Sequence, residues 1–238
     1  MRTDQKTMTT RFFSFSGIDG AGKSTQILRL CAKVEQAGLR CAVVSFWDDV
    51  ARLKGLREGA SHKIFKSDRG VGSPEAPIAR RDKNVRSAPM TLVRFCIYLV
   101  DALSTRLSMR KLARSGADVV IFDRFIYDEL ANLNLRNAVM RAYARTLLKL
   151  VPRPDVSFLV DAEPAEARAR KPEYPLEFLE FSRKNYRALC KIAGCIDIIA
   201  PANANEVEQQ VLSHVEAAFV ATGQQTINRN PNLAESVR

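Results

Sequence analysis

Phosphate chemistry is written into one short run, Gly17-Ile18-Asp19-Gly20-Ala21-Gly22-Lys23-Ser24, which fits G-x-x-x-x-G-K-[ST]. Glycines let the main chain curl until several N–H groups point inward at the start of a helix, which makes an anion nest. The Lys23 ammonium is then placed for the β- and γ-phosphates, and the Ser24 hydroxyl for a magnesium ion. Together with Thr25, the residues Gly17, Ile18, Asp19, Gly20, Ala21, Gly22, Lys23 and Ser24 form the candidate nucleoside-triphosphate loop. The apolar stretch Phe12-Phe13-Ser14-Phe15 leads straight into it. That is the strand–loop–helix setting the motif requires.

Further candidates lie downstream. Asp123 ends the apolar run Val119-Val120-Ile121-Phe122, where open α/β sheets place their ligands. A carboxylate there can hold Mg²⁺ or its waters, or else cap the next helix. Arg124 follows, a guanidinium that can fork onto a phosphate or form a surface ion pair. Arg168, Arg170 and Lys171 lie between Pro164 and Pro175. A positive, jointed segment of that kind can close over a transferring phosphoryl group, or remain a solvated charge run.

These residues need a scaffold, and the hydrophobic rhythm supplies one. Strands are expected at 11–16, 41–46, 118–122, 156–160 and 195–199, and helices at 23–37, from 89 to about 107, and at 129–150, 176–193 and 206–221. Alternation of this kind predicts an α/β, three-layer P-loop NTPase fold: a five-stranded parallel sheet flanked by helices. The expected organisation is a flexible N-terminus over 1–10 and a P-loop domain over 11–221. Within that domain lie a basic insertion at 48–88 and a lid at 163–175, and 222–238 is expected to be a disordered tail.

Composition narrows the class. The chain has 238 residues, 46% of them hydrophobic, enough to bury a sizeable core. It has no apolar run near 20 residues, and residues 1–8 lack a signal-peptide core, so a cytoplasmic protein is expected with no membrane partner. Five cysteines without a C-x-x-C pattern read as reduced and mostly buried. Two histidines and no metal-ligand spacing argue against structural zinc. The net charge of +11 is concentrated in 52–86, with more at Arg136, Arg141, Arg145 and Lys149. No aromatic–basic interleaving accompanies it, so phosphate contacts and solvated helix faces are expected rather than nucleic acid.

Phe15-Ser16-Gly17-Ile18-Asp19-Gly20-Ala21-Gly22-Lys23-Ser24-Thr25-Gln26 resembles the opening of thymidylate kinases, F-x-G-x-D-G-x-G-K-[ST]-T-Q. Asp123-Arg124-Phe125 is similar to their D-R-[YF] element, and the likeness covers most of 10–221 outside the insertion. The resemblance implies transfer of the ATP γ-phosphate to a nucleoside monophosphate, dTMP, with Mg²⁺, and a homodimer. It makes Lys23, Arg168, Arg170 and Asp123 the candidate catalytic residues, and Ser24 and Asp123 the metal-binding pair. Asp19 and Arg124 fall at the acceptor sugar and acceptor phosphate. Members without an arginine inside the P-loop supply one from the lid, and this loop has none.

The chain also departs from that pattern. Phe46-Trp47-Asp48-Asp49-Val50 stands where R-E-P-G-G is usual, and Tyr98 and Ala102 where a base-stacking phenylalanine and an arginine are usual. Tyr98 therefore reads as an acceptor contact or, with Phe95, as plain core. Asp48 or Asp49 could serve as the base that a hydroxyl acceptor needs, or act as loop acids. Three functions are thus in play: a nucleoside-monophosphate kinase, a kinase of a nucleoside or other hydroxyl, and a nucleotide-binding switch that transfers nothing efficiently.

Overall fold

The computed structural model describes residues 9–50 and 88–221. Residues 1–8, the expected insertion apart from its two ends, and the expected tail 222–238 lie outside the described residues, as does the charge run 52–86.

Five strands form one parallel sheet in the order β2-β3-β1-β4-β5: β1 Arg11–Ser16, β2 Cys41–Ser45, β3 Val119–Asp123, β4 Val156–Val160 and β5 Asp197–Ile199. Strand β1 lies at the centre, with Phe15 opposite Asp123 of β3 and Phe158 of β4. The chain runs from β1 to one edge, returns to β3, and then crosses to β4. The loop after β1 therefore opens at the switch point, where parallel sheets bind ligands. Both faces of the sheet are covered, so its strands read as continuous apolar runs; Val119, Val120, Ile121 and Phe122 are all fully buried.

Helices α1 Lys23–Gln36, α2 Ala88–Leu112, α3 Ile126–Leu130, α4 Ala138–Leu150, α5 Pro164–Arg170, α6 Leu176–Ala193 and α7 Ala204–Val220 complete the described layers. Ile27, Leu30 and Val34 form the buried stripe of α1, and Val207, Val211, Val215 and Phe219 that of α7. The two helices pack together, and Arg29 clips them by reaching Glu208 at 2.8 Å and the Ala204 carbonyl at 3.0 Å. Asn203 caps α7 by accepting from the N–H groups of Asn205 and Glu206.

Three expectations need correction. The helix expected over 129–150 is two helices, α3 and α4, because Asn137 caps a new start with its side chain. Strand β2 ends at Ser45, and Phe46–Val50 winds into a single π-helical turn that buries Phe46 and Val50. The cysteines are free thiols, but only Cys190 is buried; Cys31, Cys41 and Cys195 are partly covered and Cys96 is exposed. Their apolar neighbours in sequence point to the core where the thiols themselves do not.

Candidate active site

The nest after β1 is built from close approaches that only glycine tolerates. A methyl group at Gly17 would sit 2.5 Å from the Val160 carbonyl oxygen at the end of β4. At Gly20, with φ +81°, it would sit 2.1 Å from the Ala167 carbonyl oxygen of α5. The second contact seats α5 directly on the P-loop. Gly22 ends the loop in a left-handed conformation, and α1 starts at the next residue.

Lys23 is buried and donates from Nζ to the carbonyl oxygens of Gly17 and Ile18, each at 2.9 Å. Its ammonium is thus parked against the loop's own main chain. Burial pushes its pKa down to about 8, helped by the Arg124 charge and opposed by Asp19, Asp128 and Asp123. Ser24 and Thr25, in the first turn of α1, are exposed. Asp123 is half-buried at the end of β3, in register with Phe15 and Ser45. Neither Ser24 nor Asp123 forms a side-chain hydrogen bond or ion pair with another described residue. An exposed hydroxyl and an uncommitted carboxylate are the hard oxygen donors that a magnesium–phosphate complex takes.

Arg124 is the only non-glycine described residue with positive φ, 67°. Holding an arginine in that left-handed conformation costs roughly 1–3 kcal/mol and needs surroundings that insist on it. Here they do. Its N–H donates to the Phe15 carbonyl at 3.0 Å, extending the β1–β3 ladder by one residue. Its guanidinium bridges two carboxylates, donating to Asp19 inside the P-loop and to Asp128 of α3 at 3.0 Å. Burial opposes the charge, but the Asp128 and Asp19 carboxylates keep the guanidinium firmly protonated. Two residues assigned separately to the acceptor, Asp19 and Arg124, are therefore in direct contact.

Sequence reasoning missed what holds this arginine. Asp128 is almost fully buried, and each of its oxygens accepts two hydrogen bonds. Oδ1 takes Arg124 at 3.0 Å and the Tyr186 hydroxyl at 2.7 Å; Oδ2 takes the Ser16 hydroxyl at 2.7 Å and the Phe125 N–H at 3.1 Å. A carboxylate four residues after an arginine on a short helix was a visible signal. The Tyr186 contact, spanning 58 residues, had none.

The segment that leads into α5 is anchored in a similar way. Arg183 of α6 donates to both oxygens of Asp161, at 2.8 Å each, and to both oxygens of Glu163, at 2.7 and 2.6 Å. Arg187, one turn on, reaches Asp161 at 2.6 Å. These arginines hold the Asp161 carboxyl below the usual range despite the opposing effect of burial. Within α5 itself, Arg170 is half-exposed near Gly22, with its Nε donating to the Glu166 carbonyl at 3.3 Å. Arg168 is half-buried and pairs with no described residue.

The other candidates separate clearly. Tyr98 is buried in the hydrophobic core, and the neighbouring Phe95 stacks on Tyr143 at 4.1 Å between ring centroids. Asp49 accepts from the Ser45 N–H at 2.8 Å and Asp48 from the Ser45 hydroxyl at 3.2 Å, so both turn back onto the end of β2. The basic residues Arg136, Arg145 and Lys149 are exposed on and before α4, as a solvated face would be.

Fold and loop together define a P-loop nucleotide-binding α/β protein with the short helix α5 seated on the loop. The relatives are more particular. The chain is 25% identical over 208 residues to a probable thymidylate kinase of Archaeoglobus fulgidus, covering 84% of this chain and 92% of the relative. It is 25% identical over 215 residues to a thymidylate kinase of Prochlorococcus marinus, covering 86% and 94%. The crystal structure of thymidylate kinase from Ehrlichia chaffeensis superposes with a TM-score of 0.55 at 17% identity, covering 87% of this chain and 98% of that one. No protein-family model matches the sequence. The chain is a divergent, thymidylate-kinase-like protein.

Proposed function

We propose that this protein transfers the γ-phosphate of ATP to a nucleoside monophosphate, with dTMP as the acceptor that becomes dTDP. The observation that carries the reading is the Asp19–Arg124 pair. It sets a fixed guanidinium beside the P-loop lysine, on the acceptor side of the place where the triphosphate would end. Similarity to thymidylate kinases over 84–86% of the chain supports the same reaction.

In this mechanism the loop N–H groups and Lys23 hold the donor phosphates, with Lys23 leaving the Gly17 and Ile18 carbonyls to do so. Ser24 and Asp123 would hold Mg²⁺, which supplies charge neutralisation on the phosphates when bound. Arg124 orients the acceptor phosphate through the donors that Asp19 and Asp128 leave unused. Arg168 and Arg170, on the helix that rests on the loop, neutralise charge on the transferring group. A phosphate acceptor needs no general base. That agrees with Asp48 and Asp49 being tied to Ser45, and it disfavours a hydroxyl acceptor.

We place the reaction in the cytoplasm; among the described residues no helix is long and apolar enough to cross a membrane. A homodimer belongs to the same proposal. Leu99, Val100, Leu103 and Leu107 expose one apolar stripe of α2, the kind of face a second copy would cover. Sedimentation of the chain against Leu103→Glu tests it, with loss of the dimer expected. The activity test is ADP release scanned over nucleoside monophosphates, nucleosides and sugars. Stimulation by dTMP is expected; stimulation by nucleosides alone, or by nothing despite ATP binding, would replace the proposal with a hydroxyl kinase or a nucleotide switch.

A further inference from the structure

Arg124 is held by a support that reaches beyond its own loop. Asp128 has its four acceptor positions filled, and they come from four places in the chain: Ser16 at the end of β1, Arg124 after β3, the Phe125 main chain and Tyr186 in the middle of α6. A carboxylate with every lone pair engaged cannot rotate without breaking several bonds at once, and a buried network of this sort strengthens its members. Tyr186 is itself buried. Burial and the neighbouring Asp128 charge push its pKa well up, so it stays a hydroxyl and donates. Oδ1 thus has Arg124 on one lone pair and Tyr186 on the other.

The second carboxylate on Arg124 differs. Asp19 keeps about a fifth of its side chain open to solvent, against almost none for Asp128. Asp128 fixes the guanidinium, while Asp19 lies on the open side, where a phosphate would enter. The positive φ of Arg124 fits this, since an unfavourable backbone conformation persists only when its surroundings over-determine it.

We propose that Asp128 and Tyr186 are positioning residues: Tyr186 locks the Asp128 carboxylate, which aims the Arg124 guanidinium at an incoming phosphomonoester. The inference rests on the proposed kinase reading for its kinetic consequences, but not for its structural one. Helix α6 thereby does two jobs one turn apart. Arg183 ties down the entry to the lid, and Tyr186 ties down the acceptor arginine.

The direct test is side-chain NMR of the full chain with isotope-labelled arginine, reading rotation about the Nε–Cζ bond of Arg124. Tyr186→Phe removes one hydroxyl from a buried site and retains the ring. Rotation is expected to speed up about tenfold, the size of one hydrogen bond to a charged group. An unchanged rate in a folded variant overturns the proposal. Kinetics give the second arm. Tyr186→Phe is expected to raise the dTMP KM about 3–10-fold, with the ATP KM unchanged. Asp128→Asn, which points an amide N–H₂ at existing donors, should raise it further. In an Arg124→Ala background Tyr186→Phe should add nothing, since the residue it serves is gone. Additive losses, or equal losses for ATP and dTMP, would make Tyr186 a structural residue only. If the unaltered chain does not turn over dTMP, the kinase reading fails, and the arginine rotation still decides this one.

Discussion

The proposed donor side of the site is shaped mainly by close main-chain packing around the P-loop, and the proposed acceptor side by a network of side chains. The phosphate loop depends on what is missing: without Cβ atoms at Gly17 and Gly20, the Val160 and Ala167 carbonyls can approach. The proposed acceptor side depends on what is present: Ser16 and Asp19, Arg124 and Asp128, and Tyr186 meet from three separate stretches of chain. Backbone nests need a local motif, whereas side-chain networks need the finished fold.

Substitutions on the two sides should therefore fail in different ways. The largest effect is expected from Lys23→Ala, which removes the loop's only ammonium and should lower kcat/KM by about 10²–10³-fold or more. Arg124→Ala comes next. It should raise the acceptor KM by about 10–100-fold and leave the ATP KM nearly unchanged. If ATP affinity fell equally, the two sides would not be separable and the comparison would break. Arg168→Ala should lower kcat about tenfold or more, with a smaller effect on ATP affinity, as expected for a group that acts on the transferring phosphate. Equal loss of both would make it a binding residue.

The smallest effect is a pH dependence. With the Lys23 pKa brought down to about 8, the ammonium is lost as pH rises through that value, so donor affinity should decline several-fold on the alkaline side. The sign for stability is opposite. Between about 8 and the ordinary 10.5 the unfolded chain binds more protons, so this group's contribution to stability rises with pH across that window. ATP titrations and thermal melts from pH 7 to 10 read the two trends separately. A donor affinity that stays flat over this range would mean that bound phosphate leaves the protonation of Lys23 unchanged, which would contradict the role given to its ammonium.

The same contrast governs what could be read from the sequence. Strands β1 and β4 and helix α6 fall where their apolar rhythm places them, because continuous apolar runs between glycine and proline signals leave few alternatives. The P-loop was legible because its geometry is local. The break before α4 was hidden, since Asn137 acts as a cap only once the chain turns there. Asp48 and Asp49 read either as a base or as loop acids until the π-helical turn brought them back to Ser45. Tyr186 was invisible as a site residue because a tyrosine on an amphipathic helix reads as core until its hydroxyl is seen to meet Asp128.

The central claim, that this scaffold passes a phosphate from ATP to a phosphate, is tested most directly by following dTDP and ADP formation from ATP and dTMP with Mg²⁺. One dTDP is predicted for each ADP, with thymidine and sugars inert as acceptors. Steady phosphorylation of a nucleoside hydroxyl with no reaction on dTMP would contradict the account.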